Sequence, residues 1–351
     1  MTANTFELAM GYTISRVIRG GWQLAGGHGA IDREQAVADL IATFDAGIFT
    51  YDCADIYTGV EELIGAARLR LANERGLDAA ARMKVHTKLV PDLERLAGIS
   101  RAYIRAIVDQ SLRRLKTERI DLVQFHWWDY AQPRYVEAMG WLDELRREGK
   151  VRNLGTTNFD TPRLAEILAA GIPLVSQQLQ YSVLDQRPAG SLADLALGND
   201  VSFLCYGSVA GGFLSDRWLG VAEPATPLEN RSLVKYKLII DDFGGWDLFQ
   251  HLLRVLKTVG DRHRVDIATI ASAWVLEQAR VAAVIVGARN QAHALANAAI
   301  MDVQLSPDDK AVIGAVIAQS PGLEGDVYTL ERNRHGRHGS IMHYNLNAGR
   351  V

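Results

Sequence analysis

Residues 101–115, Arg-Ala-Tyr-Ile-Arg-Ala-Ile-Val-Asp-Gln-Ser-Leu-Arg-Arg-Leu, lead into 120–126, Ile-Asp-Leu-Val-Gln-Phe-His, and together they are one repeat of the pattern that decides the fold. In the first part Ile104, Ile107, Val108, Leu112 and Leu115 recur at helical spacing on one stripe, with arginines elsewhere. The second part is a short, largely apolar run, as expected of a strand buried on both faces. Working outward, runs of the same kind occur at Ser15–Trp22, Gly47–Asp52, Lys84–Lys88, Val151–Thr156, Leu174–Gln178, Val201–Tyr206 and Val281–Gly287. Helical patterns at Gln35–Ala46, Tyr135–Arg147 and Asp266–Glu277 lie between them.

Eight strand–helix units between Ser15 and Asn297 average about 35 residues each. Strict alternation requires a parallel sheet with crossover helices. Eight units predict a closed (β/α)8 TIM barrel rather than an open doubly wound sheet. An open dinucleotide-binding sheet would carry a glycine fingerprint after its first strand. The nearest candidate, Gly27-His28-Gly29-Ala30-Ile31-Asp32, lacks the third glycine and is better read as a loop. The 351 residues suggest two domains by length alone, but a barrel of this size forms one unit. The reading is therefore a single barrel over residues 1–320, with a long loop after strand seven (Gly211–Trp246) and a C-terminal extension over 321–351.

Composition narrows the class. With 48% hydrophobic and 23% charged residues the chain can bury a large core. A net charge of −3 gives no basic excess for nucleic acid, and no apolar stretch is long enough for a membrane helix. Cys53 and Cys205 are too few for a disulfide scaffold, so a cytoplasmic location is expected. No metal-ligand spacing occurs, and no motif pairs Cys53 with a histidine.

In a barrel the chemistry sits at the C-terminal ends of the strands. Those ends carry Asp52, Lys88, His126, Asn158, Gln178 and Tyr206, with Tyr57 in the loop after Asp52. A phenol near pKa 10 is a poor proton donor at neutral pH; an adjacent ammonium lowers its pKa, and a carboxylate keeps that ammonium charged. Tyr57, Lys88 and Asp52 suit those parts, and His126 suits a hydrogen bond to a carbonyl. The same three residues would also fit an ordinary buried ion-pair cluster. Trp22 and Trp127 follow strands directly and are read as apolar pocket walls, and Trp128 is left open between wall and barrel cap.

The segment Tyr51-Asp52-Cys53-Ala54-Asp55-Ile56-Tyr57-Thr58-Gly59, with Glu62, Leu63 and Gly65, resembles the aldo-keto reductase signature. His86-Thr87-Lys88 and Ile120–His126 resemble the strands that deliver that family's Lys and His. The resemblance covers roughly residues 15–318. It implies Tyr57 as general acid/base, Lys88 and Asp52 as its tuning pair, and His126 as the residue that orients a carbonyl. A reversible hydride transfer between NAD(P)H and an aldehyde, ketone or sugar carbonyl follows from it, with a substrate pocket at Trp22, Tyr57, His126 and Trp127.

By the same resemblance Thr157, Asn158 and Gln178 hold the nicotinamide carboxamide, and Tyr206 stacks on the ring. Gly21, Trp22, Gly207, Ser208, Gly211, Leu214 and Arg217 surround the cofactor. Gly287, Arg289, His293 and Asn297 form the last phosphate- and adenine-binding stretch. His293 and Ala296 depart from the residues that hold a 2′-phosphate in NADP-using relatives, leaving Arg289 to supply the charge; NADPH is favoured over NADH. The resemblance leaves open a dehydrogenase working in the oxidative direction and a cofactor-binding regulatory subunit. The basic stretch Glu331–Gly339, followed by Ile341, Met342, Tyr344 and Leu346, is read as a tail docked on the barrel or on a neighbouring subunit of a homo-oligomer.

Overall fold

The computed structural model describes residues 4–25, 31–225, 228–288 and 291–347. Positions 27–30 of the glycine candidate, together with Pro227, Arg289 and Asn290, lie outside the described residues. Two short strands, β1 (Thr5–Ala9) and β2 (Tyr12–Ser15), form an antiparallel hairpin. Eight more follow: β3 (Val17–Gly20), β4 (Thr50–Asp52), β5 (Lys84–Leu89), β6 (Ile120–His126), β7 (Val151–Thr157), β8 (Leu174–Gln180), β9 (Ser202–Tyr206) and β10 (Val281–Val286). These eight pair in sequence order, all parallel, and β10 closes on β3 to complete a barrel.

The helices of the first half are α1 (Arg33–Asp45), α2 (Val60–Arg75), α3 (Leu77–Arg82), α4 (Arg101–Leu115), α5 (Tyr135–Arg147), α6 (Thr161–Ala169) and α7 (Ser191–Gly198). The second half adds α8 (Arg231–Phe243), α9 (Gly245–His263), α10 (Ile267–Leu276), α11 (Gln291–Ala298), α12 (Pro307–Ile317) and the single turn α13 (Thr329–Arg332). Local chemistry sets several starts: Ser100 and Asp266 accept the Tyr103 and Thr269 amides as N-caps of α4 and α10, and Ser306 with Asp309 forms a capping box on α12. None of the described helices is long and apolar enough to cross a membrane.

Two local readings change. The run Ser15–Trp22 is not one strand: β2 ends at Ser15, β3 at Gly20, and Trp22 opens a short 3-10 turn. The hairpin buries Leu8, Tyr12 and Ile14 against Ile18, Leu122 and Leu204 inside the barrel. Its Tyr12 hydroxyl meets His86 Nε2 at 3.0 Å. Burial pushes His86 down to about 3, so this imidazole is neutral.

The second change concerns Gly211–Trp246, which is not a loop throughout. Leu233, Tyr236, Ile240 and Phe243 recur at helical spacing and bury one face of α8. Gly244 and Gly245 both take positive φ, 136° and 82°, at the sharp junction of α8 with α9, a conformation that favours glycine.

From Pro321 onward the chain crosses the C-terminal end of the barrel. Arg332 donates from its guanidinium to the carbonyls of Trp127, Trp128 and Asn158. Glu331 is buried against Arg187, whose Nη atoms lie 3.2 and 3.3 Å from its carboxylate. Farther along, Asn347 donates from its amide group to Asp55 and to the carbonyl of Val90. Burial alone would raise the Glu331 pKa, but Arg187 and Lys235 overcome it and hold the carboxyl at about 2.

A carboxylate whose folded pKa is depressed adds stability above its unfolded value, and that stability is lost as pH falls through the folded value. Here that contribution is lost as pH falls below the usual carboxylate range toward about 2. The hydrogen-exchange protection factors of residues 328–333 are expected to fall over that interval in the wild type and to be low already at neutral pH in Glu331→Gln. Equal protection in the two proteins at pH 7 would show that this ion pair does not hold the segment.

Candidate active site

The parallel ladder sets the positions of the reacting groups. Asp52 closes β4 beside His86 of β5, and the pairing continues past the strand ends as Cys53 N donates to His86 O and Asp55 N to Lys88 O. That extension holds the loop that carries Tyr57 against β5. Lys88 Nζ reaches Asp52 Oδ2 at 2.5 Å and the Cys53 carbonyl at 3.0 Å. It also lies 4.9 Å from the centre of the Tyr57 ring. Asp52 Oδ1 accepts from Gln124 at 3.0 Å and from Gln178 at 2.6 Å, so every donor around this carboxylate comes from a barrel strand.

Burial alone would lower the Lys88 pKa, but Asp52 and Tyr57 outweigh it and hold the ammonium charged. For Tyr57 the balance runs the other way. Burial raises the phenol more than Lys88 lowers it, so the low pKa expected from an ammonium neighbour is not reached by these residues alone. The Cys53 thiol is pushed well up by burial and is no nucleophile at neutral pH.

His126 ends β6 with its Nδ1 3.2 Å from the carbonyl of Thr157. A carbonyl only accepts, so Nδ1 carries the hydrogen. Burial, reinforced by Arg332, pushes His126 down to about 3 and leaves it neutral. Its buried Nε2, without a partner, is therefore an acceptor. In this tautomer Nε2 offers its lone pair to the cavity.

These groups open onto one cavity of about 540 Å³ lined by Trp22, Asp52, Tyr57, Lys88, His126, Trp128, Thr157, Asn158, Gln178 and Tyr206, among others. Trp22 packs edge-on against Tyr57 at 5.1 Å. Trp127 is not a wall. It is fully buried between Phe125 and Tyr135, while Trp128 faces the cavity 4.2 Å from His126. Side chains alternate along an extended chain, so inward His126 puts Trp127 outward and Trp128 inward. That signal was present in the sequence.

The residues assigned to a cofactor divide into two groups. Thr157, Asn158, Gln178, Tyr206, Gly207, Gly211 and Gly287 line the cavity. Thr157 Oγ1 is buried without a partner, while Asn158 takes a left-handed conformation at φ 63° and accepts from the Tyr206 hydroxyl at 2.8 Å. Gly207 and Gly211 lie so close under Tyr236 that a Cβ on either would come within 2.5 and 2.8 Å of that side chain. Gly21 lies behind the wall, where a Cβ would stand 2.9 Å from the Asp52 carbonyl.

The others point elsewhere. Ser208 bonds Ser272 at 3.0 Å, and Leu214 is buried in the core. Arg217 is exposed over Trp218 and pairs with Glu229 at 3.3 Å. His293 is exposed on α11, and Asn297 donates to the Gly287 carbonyl at 3.1 Å. The cavity also takes residues that the strand-end reading did not contain: Arg231, Ser232, Lys235 and Tyr236 from α8, and Tyr328, Ile341, Met342 and His343 from beyond Pro321.

The family profile described as "Aldo/keto reductase family" matches residues 16–318. The chain belongs to the aldo/keto reductase family. Among curated members it is 26% identical to the NADH-specific methylglyoxal reductase of Escherichia coli over 85% of this chain and 93% of that protein. It is likewise 26% identical to the aldo-keto reductase YhdN of Bacillus subtilis, over 88% of this chain and 91% of that one. Its fold is that of a glycerol dehydrogenase structure from Gluconobacter oxydans, with a TM-score of 0.77 at 24% identity, covering 93% of this chain and 98% of the other. Within this aldo/keto reductase the profile ends just before Pro321, so Tyr328, Arg332 and the other tail residues at the cavity lie outside the matched region.

Proposed function

We propose that this chain is an NAD(P)H-dependent carbonyl oxidoreductase in which Tyr57 moves the proton. The observation that carries this reading is the Lys88 ammonium, held 2.5 Å from Asp52 and 4.9 Å from the Tyr57 ring at the floor of the cavity. An alkoxide developing on a bound substrate beside Tyr57 would take the phenol proton, and Lys88 would stabilise the phenolate left behind. Asp52 acts through Lys88 and is a positioning residue. Trp22 and Trp128 exclude water from the same space.

The buried, unpartnered Thr157 Oγ1 and the glycine-lined wall at Gly207, Gly211 and Gly287 fit a nicotinamide dinucleotide. Thr157, Asn158, Gln178 and Tyr206 would hold its nicotinamide end, and the bound group would supply the hydride. Arg289 is the cation offered to a 2′-phosphate, so NADPH is the expected cofactor. A higher kcat/KM with NADH would instead assign the site to the nucleotide named for the Escherichia coli relative.

The acceptor Nε2 of His126 favours a second reading in the oxidative direction, because an alcohol hydroxyl donates to it and a carbonyl does not. The test is steady-state turnover over paired alcohols, aldehydes, ketones and sugars with both cofactors in both redox states. Lower KM values for alcohols than for their carbonyls support the dehydrogenase reading. Turnover no greater than that of Tyr57→Phe across the whole panel would leave a cofactor-binding regulatory role.

A further inference from the structure

Lys235, on α8, carries a charge that the hydride-transfer chemistry does not use. Its Nζ lies among three phenol rings, 5.1 Å from the centre of Tyr206, 5.5 Å from Tyr236 and 5.9 Å from Tyr328. Its counterion is Glu331 at 3.8 Å, beyond hydrogen-bond distance. Glu331 is already held from the other side by Arg187, which also grips Asp185 at 2.8 and 2.9 Å. Among the described residues the Lys235 ammonium donates no hydrogen bond, and its side chain is only 17% exposed. An ammonium on the wall of a cavity, with three ring faces beside it and no fixed acceptor, is free to give its hydrogen bonds to a ligand's oxygens.

Among the described lining residues of the cavity, cations outnumber carboxylates. Asp52 is the one carboxylate among its described lining residues, and Lys88 neutralises it. Arg231 and Lys235, one helical turn apart on α8, are the other cations of the lining; Arg231 donates to the Ile341 carbonyl at 3.3 Å, and Lys235 shares Glu331 with Arg187. Of the two, Lys235 is nearer the chemistry. The Tyr328 ring it faces lies edge-on against His126 at 5.6 Å, and the Tyr206 ring it faces is hydrogen-bonded to Asn158. An oxygen anion on Lys235 would therefore sit one ring-width from the residue that orients the reacting group.

We infer that Lys235 is the subsite for an anionic end group, a carboxylate or a phosphate, on a small carbonyl or hydroxy substrate. The inference rests on the oxidoreductase reading for the other end of that substrate. Tyr328 flanks the chain of the substrate, Tyr206 being taken up by the nicotinamide end, and Lys235 with Arg231 selects against neutral compounds of the same length. The subsite is built by α8 and the segment after Pro321 together, so it exists only when that segment is docked.

The experiment compares matched pairs on the full-length protein: succinate semialdehyde against butanal, and glycolaldehyde phosphate against glycolaldehyde. Wild type is expected to favour the anionic member of at least one pair by roughly tenfold or more in kcat/KM, the scale of one charge-assisted hydrogen bond. The pair that shows the preference distinguishes carboxylate from phosphate. Lys235→Gln should bring that ratio toward one through KM, and Lys235→Arg should restore most of it. A separate arm needs no turnover: glutarate and inorganic phosphate are titrated against tryptophan fluorescence, and saturable quenching that Lys235→Gln weakens supports the subsite. A wild-type ratio near one overturns the inference while the oxidoreductase reading stands. If no compound is turned over, that reading fails and the titration alone decides the subsite, with no Lys235-dependent quenching overturning it. Weakened NADPH binding in Lys235→Gln with the substrate ratio intact also overturns it, assigning the ammonium to the cofactor's phosphates.

Discussion

Tyr57→Phe is expected to lower kcat/KM by about 10² to 10⁴-fold, the range for loss of a positioned proton donor. The phenyl ring keeps its edge contact with Trp22 and its face toward Lys88, so the cavity wall survives the change. Only the hydroxyl is lost, and with it the proton for a developing alkoxide. Nucleotide affinity, read by fluorescence titration, should stay near that of wild type, because the groups assigned to the nicotinamide end lie on β7, β8, β9 and the turns after them. The pH profile gives a second check: a limb that belongs to the phenol should disappear in the variant. Turnover within a few-fold of wild type would remove Tyr57 from the chemistry and leave the cavity as a binding site.

Asp52→Ala should damage both stability and activity. The carboxylate accepts from Lys88, Gln124 and Gln178, and its removal leaves a buried ammonium without its counterion. Breaking such a pair costs about 3–5 kcal/mol. The pH dependence identifies the cause. In wild type Lys88 has a raised pKa, so its contribution is fully present below the unfolded lysine value and is lost only as pH rises through the higher folded value.

Without Asp52 burial dominates and Lys88 titrates below the unfolded value. The unfolded chain then binds more protons, and stability rises with pH over that interval. The deficit in Tm against wild type is therefore expected to narrow between pH 7 and pH 10. A deficit constant with pH would place the damage in packing rather than in the orphaned charge.

The barrel was legible because its signals are local. Each of the eight strand runs and the stripe on α4 is set by residues within a few positions of one another, and alternation then forces parallel closure. Asp52, Lys88 and His126 were legible for the same reason, since the end of a barrel strand is a position that sequence can name. Other local features do not stand out in the sequence. The hairpin before β3 is too short to stand out from the run that follows it, and α8 hid behind Pro224, Pro227 and the glycine pair. Trp127 stands next to a strand end, but strand alternation points to Trp128, which lines the cavity.

What the sequence alone determined is the scaffold and the cluster of Asp52, Tyr57, Lys88 and His126, through short-range periodicity and strand register. What only the tertiary structure decided depends on contacts between distant residues. Thr157 sets which nitrogen of His126 is free, 31 positions away. Arg332 binds carbonyls of Trp127 and Asn158 more than 170 positions earlier, bringing Tyr328 against His126. The counterion of Lys235 comes from Glu331, on a segment outside the repeating pattern. No periodicity encodes such pairings, because they form only after the barrel has closed and brought its mouth, α8 and the C-terminal segment together. The surroundings of Lys235 are therefore a property of the folded chain.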